Sequence, residues 1–310
     1  MQFIQLDEGL VIIEEAFQKA KRIVEGYPDT KFTSEEYMKF HACVYTLCYK
    51  PGDDNKALLH EKFKKSLEET INSTVLPSLA AKENELLLRE LVLMWSNYKL
   101  MAKWLCRFFE YLDRYYSSFC CGVSLGETSI DCFRSMVFNV LHSRIQAAAM
   151  SLINEERHGK QIDPKLLQDV MSIFMEIGEN RSTSYYENFV QAMLEETATF
   201  YSQSSSQWVV YDSLTDYIQK VNWCIMQEKE RAGHYLHPTS VIKLIQVLQC
   251  QLLDMNALKL VEKLQSQNSS QLDYQEILSK CACLSLGEES SAPTLAEHLS
   301  ALMAKSAHIH

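Results

Sequence analysis

Glycine and proline are scarce in this chain, nine and six among 310 residues, about half their ordinary usage. Folds made of strands and tight turns place one or the other at most turns. Their scarcity argues against a turn-rich β-architecture and predicts long helices with few connections, an all-α chain. A basic excess is missing as well. Forty acidic side chains face thirty basic ones, for a net charge of −10, and Lys62, Lys64 and Lys65 are answered by Glu61, Glu68 and Glu69. Nucleic-acid affinity comes from a basic stripe that neutralises phosphates, so no nucleic-acid partner is expected. No run of about 18 uncharged apolar residues occurs, so no membrane span is expected. The first ten residues lack the basic region ahead of an apolar run that marks a signal peptide.

Catalytic motifs are absent too. There is no nucleophile elbow, phosphate-binding loop, His-Glu-x-x-His or glycine-rich dinucleotide motif, and an enzyme is not expected. The ten cysteines include no Cys-x-x-Cys pair, and Cys281-Ala-Cys283 has no histidine at zinc-site spacing. A reducing compartment, cytoplasmic or nuclear, is the simplest home for them. Cys120-Cys121 forms an adjacent pair with nothing basic beside it to lower a thiol pKa. His234 and His237 share a helical face, but two imidazoles do not make a metal site, and a helix-end role explains them. The pairs Glu155-Glu156 and Glu195-Glu196 adjoin helix ends and read as solvated. No metal and no cofactor are expected.

What is present is helical patterning. Apolar residues make up 47% of the chain, enough to bury a substantial core. Thr33-Ser34-Glu35-Glu36 reads as a capping box, with Phe32 and Tyr37 placed for a hydrophobic staple. The helix that follows carries Tyr37, Phe40, Val44 and Cys48 at helical spacing, and stops before Pro51-Gly52-Asp53-Asp54. From Leu86 to Tyr116 no glycine or proline interrupts the chain, and one helix of about 45 Å is expected. Its stripe runs Leu87, Leu91, Met94, Tyr98, Met101, Leu105, Phe108, Leu112 and Tyr115, with Trp104 and Tyr111 widening the arc. So wide an apolar arc touches more than one neighbour.

A loop is expected from Cys120 to Thr128, then a long helical stretch from about Ile130 to Arg157, ending near Gly159. Asp163-Pro164 places a capping residue before a proline at the first helical position, and Gly178 closes that helix. Further helices are expected near Tyr185–Tyr201, Ser206–Asp212, Asp216–His237 and Thr239–Leu264, with Ser266 to Gln271 as a loop. The aromatic set Tyr37, His41 and Tyr45, with Trp104, Phe108, Tyr111 and Tyr115, is of a kind enriched at interfaces. The same spacing also suits a core.

Several stretches resemble the N-terminal region of cullins, the scaffolds of SCF-type ubiquitin ligases, most of all those of plants. They include Glu36-Tyr37-Met38, Val44-Tyr45, Ile71-Asn72-Ser73-Thr74-Val75-Leu76-Pro77, Leu88-Arg89-Glu90-Leu91 and Trp95-Ser96-Asn97. Arg107-Phe108-Phe109, Tyr111-Leu112-Asp113-Arg114-Tyr115, Leu141-His142-Ser143, Glu156-Arg157-His158-Gly159, Gln161-Ile162-Asp163 and His234-Tyr235-Leu236-His237 continue the match in order.

The resemblance implies an elongated stack of five-helix cullin repeats: a first repeat over 1–158, a second over 159–265, and a divergent tail over 266–310. It implies that the second and fifth helices of the first repeat hold a Skp-type adaptor carrying an F-box protein. The positions carried over are Tyr37, Met38, Phe40, His41, Val44 and Tyr45 on one helix. On the other they are Trp104, Phe108, Tyr111, Leu112 and Tyr115. Phe40 and His41 stand where the family usually has Leu and Tyr. Nothing resembles the region that recruits the RING subunit, so no RING partner is expected. The expected function is adaptor binding in ubiquitin-dependent degradation, as a truncated competitor of full-length cullin. The alternatives are a helical tethering rod unrelated to ubiquitin ligases and a degenerate, inactive paralogue. For the binding surface, the expectation is that Tyr37, Val44, Phe108 and Tyr111 keep some area exposed.

Overall fold

The computed structural model describes residues 4–27, 30–49, 55–178, 184–256, 259–260 and 262–263. Among them every regular element is a helix and no strand occurs. The chain divides into two compact units, Met1–Thr183 and Ser184–His310.

The first unit opens with α1, Leu6–Val24. Asp7 and Glu8 lie in its first turn and Lys21 and Arg22 in its last, each sign at the end of the helix dipole that favours it. Its buried face is Ile13, Phe17, Ala20 and Val24, at spacings of three and four. The helix α2, Ser34–Tyr49, crosses α1 closely at Gly9, where a Cβ would come within 2.8 Å of the Leu47 side chain. The expected capping box forms: the Glu36 amide donates to Thr33 Oγ1 at 3.2 Å and the Thr33 amide to the Glu36 carboxylate at 2.8 Å. Phe32, expected as a staple, lodges instead against Phe40, Trp104 and Phe108 at ring separations of 6.1, 5.0 and 4.9 Å.

The helix α3, Asn55–Thr70, passes through a wide π-type turn at Ile71–Val75 into the short α4, Leu76–Ala80. Next, α5 runs Asn84–Phe108 and α6 Glu110–Leu112, followed by a π-type stretch at Asp113–Cys121. The single 31-residue helix expected from the sequence is therefore interrupted at Phe109, whose φ of −96° and ψ of 14° leave the helical region. Phe108 and Phe109 are both fully buried, against opposite layers. Phe108 meets Phe40 of α2, while Phe109 stacks on Phe17 of α1 and meets Phe63 of α3. Consecutive residues of a regular helix point about 100° apart, and the break accompanies the turning of the second ring into its own layer.

The helix α7, Leu125–Phe133, begins inside the stretch expected as a loop. A full capping box between Ser124 and Glu127 starts it there. It continues through a π-type turn into α8, Asn139–Arg157, and the chain reverses at Gly159, whose φ is +89°. The last helix of this unit is α9, Pro164–Gly178, capped as expected by Asp163, which accepts from the Lys165 amide. The first compact unit runs past residue 158 to Thr183, with α9 lying on α5: Glu176 accepts from Trp95 Nε1 at 2.7 Å and from Lys99 at 2.7 Å.

The second unit holds α10, Tyr185–Tyr211, α11, Leu214–Tyr235, and α12, Pro238–Leu252. The expected interruption of α10 between Tyr201 and Ser206 does not occur. Serine competes with backbone hydrogen bonding, yet the Ser204 and Ser206 hydroxyls return their hydrogen bonds to carbonyls one turn back, and the helix runs through. The core seam of α11 is Tyr217, Val221, Cys224 and Glu228. Glu228 is fully buried, with Tyr201 at 2.9 Å and Arg231 at 2.7 Å as its partners. His237 caps α12 ahead of Pro238, the helix-end role expected for it. The expected loop from Ser266 to Gln271 and the tail lie outside the described residues.

Candidate functional site

Where α2 passes α5 and α6, a strip of aromatic side chains reaches the surface of the first unit. It forms because α2 has apolar residues on two faces. Phe40, Cys43, Val44 and Leu47 point inward, while Tyr37, Met38, His41 and Tyr45 lie at the edge or outside. Tyr37 stacks on His41 at 5.8 Å and borders Phe108 at 6.0 Å. Tyr45 meets Tyr111 edge-on at 4.8 Å, and Tyr111 meets Tyr115 at 4.6 Å. Trp104 lies over the inner layer through Phe32 and Phe108, with Arg107 against its ring at 5.4 Å.

Burial separates the eleven positions into two groups. Phe40, Val44, Phe108 and Leu112 have at most 1% of their surface exposed. They are the floor, and the expectation that Val44 and Phe108 keep exposed area is corrected. A rim of Phe32, Tyr37 and Trp104 covers Phe108, a layer that spacing alone does not reveal. Met38 and Tyr115 are 62% and 54% exposed, and Tyr37, His41, Tyr45, Trp104 and Tyr111 are half-buried. Tyr49, not singled out from the sequence, joins the strip by stacking on Tyr45 at 5.6 Å. Its signal was present at i+4 from Tyr45.

Partial burial, with the Tyr45 and Tyr115 phenols adding to it, pushes the Tyr111 phenol above its ordinary range. The phenol is neutral at physiological pH. Cationic groups stand at its margins: Lys39 over the Phe40 ring, paired with Glu15 at 2.5 Å, and Arg114, paired with Glu110. The arrangement suits burial against another protein, since half-exposed tyrosines and a tryptophan offer large area with few torsions to freeze.

The other candidates do not assemble into a site. Among the described residues no group of three or more His, Cys, Asp or Glu is arranged to hold a metal ion, and no helix is long and apolar enough to cross a membrane. Burial pushes the thiols of Cys43, Cys106, Cys132 and Cys224 to about 11 and that of Cys48 to about 12, the condition of packing residues. The side chains of Cys120 and Cys121 lie outside the described set.

Helices layered around apolar cores, with an aromatic strip left on the surface, define an all-helical protein with a candidate interaction surface. A family model described as the Cullin alpha solenoid domain matches residues 13–307. Cullin-1 of Oryza sativa subsp. japonica is 44% identical over 262 residues, covering 84% of this chain and 35% of that relative. Putative cullin-like protein 2 of Arabidopsis thaliana is 39% identical over 254 residues, covering 81% and 68%. Cullin-like protein 3 of the same species is 37% identical over 236 residues, covering 76% and 91%. The chain belongs to the cullin family, and it spans about a third of the Oryza sativa Cullin-1 it matches. Recognisable motifs end near Leu264, but the family match runs on to 307, so the tail follows the family further than its motifs suggest.

Proposed function

We propose that this chain is a non-catalytic scaffold module of ubiquitin ligases that binds a Skp-type adaptor, and through it an F-box protein, with the strip on α2, α5 and α6. The observation that carries the reading is the strip itself: aromatic and reaching the surface at positions that match the adaptor-holding helices of cullins. Family membership disfavours an unrelated tethering rod. Occupying the adaptor through this strip, the module competes with a full-length cullin in ubiquitin-dependent degradation. A cytoplasmic and nuclear location, read from the unpaired cysteines, is part of the same proposal.

Titration of the chain against a purified adaptor–F-box complex tests the proposal. Saturable binding, weakened by Tyr37→Ala and Tyr111→Ala, is the expected result, and absence of binding overturns it. Added to a reconstituted reaction containing full-length cullin, the chain should lower ubiquitin-chain formation.

A further inference from the structure

The face of α5 turned away from the core of the first unit carries leucines at a spacing of seven. Leu86, Leu93 and Leu100 follow one another along it. Seven residues fall about 20° short of two turns, so the three lie within about 40° of one another and extend roughly 21 Å along the axis. Leu86 and Leu93 are 62% and 49% exposed, and Leu100 is half-buried. Single exposed leucines are ordinary, but a row at this spacing is the kind of seam that pairs helices. The face has charged borders. Arg89 and Lys103 stand exposed alongside the leucines, Lys99 turns aside to Glu176 of α9, and Glu90 on the other flank accepts from Ser78 of α4. Ser96, exposed beside Leu93, is short enough to let another backbone come close.

The row is its own complement when reversed. Leu86 and Leu100 lie seven residues on either side of Leu93, so a two-fold axis at Leu93 sets each against the other on a helix running the opposite way. The charges reverse in step. Glu85 and Lys103 are eighteen residues apart, five full turns, and so flank the leucines on the same side. Antiparallel pairing brings same-side flanks together, and Glu85 of each helix then meets Lys103 of the other. A parallel pair would join opposite flanks and set Glu85 against Glu90, a like-charge contact.

We infer that the chain self-associates through this face: α5 pairs antiparallel with α5 of a second copy, Leu93 on Leu93 at the two-fold axis, Leu86 on Leu100, and Glu85 facing Lys103. Charge complementarity selects a second copy as the occupant, because the face supplies both the acid and the base at positions that the axis exchanges. Arg89 holds the Glu85 carboxylate at 2.7 Å and itself lies 3.5 Å from Asp163, so the acceptor for Lys103 is positioned before the copies meet. The aliphatic stems of Arg89 and Lys103 extend the apolar contact beyond the leucines. The inference does not depend on the adaptor-binding reading.

Sedimentation velocity on the full chain under reducing conditions, over roughly 1–200 µM, tests this; so narrow a seam should dimerise with a dissociation constant of about 10–100 µM. Leu93→Glu sets two carboxylates at the axis and should weaken dimerisation at least tenfold, about 1.4 kcal/mol or more. Glu85→Lys and Lys103→Glu should each weaken it about fivefold, since a symmetric pair carries every change twice. The double variant Glu85→Lys with Lys103→Glu restores both contacts and should return to within about twofold of the parent. These side chains face solvent, so thermal midpoints should remain within a few degrees of the parent. A parent that stays monomeric over the whole range overturns the inference and leaves the face to a different protein. A dimer that survives Leu93→Glu, or that is lost with Tyr45→Ala instead, lies on another surface and also overturns it. Loss with Leu93→Glu but no recovery in the double variant overturns the antiparallel pairing.

Discussion

Phe108 and Tyr115 lie seven residues apart, on elements that follow one another along the same side of the first unit, yet they serve different ends. Phe108 is fully buried among Phe32, Phe40, Tyr37 and Trp104, whereas Tyr115 is 54% exposed. Removing a buried phenylalanine loses the transfer energy and leaves a cavity, so Phe108→Ala should destabilise the unit by about 3–5 kcal/mol, read as a lowered denaturant midpoint. Tyr115→Ala should leave the midpoint within about 0.5 kcal/mol of the parent while weakening adaptor binding. The aromatic identity and helical spacing of both residues are legible in the sequence. Which of them is floor and which is surface is not, because that depends on Phe32 folding over Phe108 from outside α2.

At the scale of elements, local signals acted where they were strong. The capping box at Thr33 and Glu36 is tied further by Lys19, whose Nζ lies 2.5 Å from the Glu36 carboxylate. Hydrogen bonding from Lys19, then from the Thr33 amide, holds the Glu36 carboxyl below its ordinary 4.5. A depressed carboxyl stabilises the fold above its unfolded pKa, and that contribution is lost as pH falls through and below 4.5. Thr33→Ala removes the acceptor for the Glu36 amide and should cost about 1 kcal/mol in a denaturant titration at neutral pH. Glu36→Gln should flatten the acid limb of the stability profile near pH 4. The start of α9 at Asp163-Pro164 was equally plain, and so was the helical identity of nearly every segment. The break at Phe109 was not. Its neighbours are good helix formers, and the break answers to two apolar layers, on α2 and on α1 with α3, that compete for adjacent residues.

For the whole molecule, buried titratable groups bracket the range of stability. Burial raises the thiols of Cys43, Cys106, Cys132 and Cys224 from 9.0 to about 11, and that of Cys48 to about 12. A raised thiol pKa contributes stability in full below pH 9, and that contribution drains away as pH climbs through 9 toward 12, where only the unfolded chain readily forms thiolate. Burial lowers the pKa of His60 and of His142 below 6.5, a contribution present above pH 6.5 and lost as pH falls beneath it. The urea midpoint under reducing conditions should therefore be flat from about pH 6.5 to 9 and decline on both sides; a midpoint still rising at pH 10 contradicts this. By itself the sequence determined the all-helical class, through scarce glycine and proline and apolar residues at spacings of three and four, and the cullin family, through motifs kept in order. Only the tertiary structure decided where the compact units divide, since α9 joins the first unit through Trp95, Lys99 and Glu176, far apart in sequence. It alone decided which aromatics stay at the surface, because periodicity names the faces of a helix and packing decides which of them is covered.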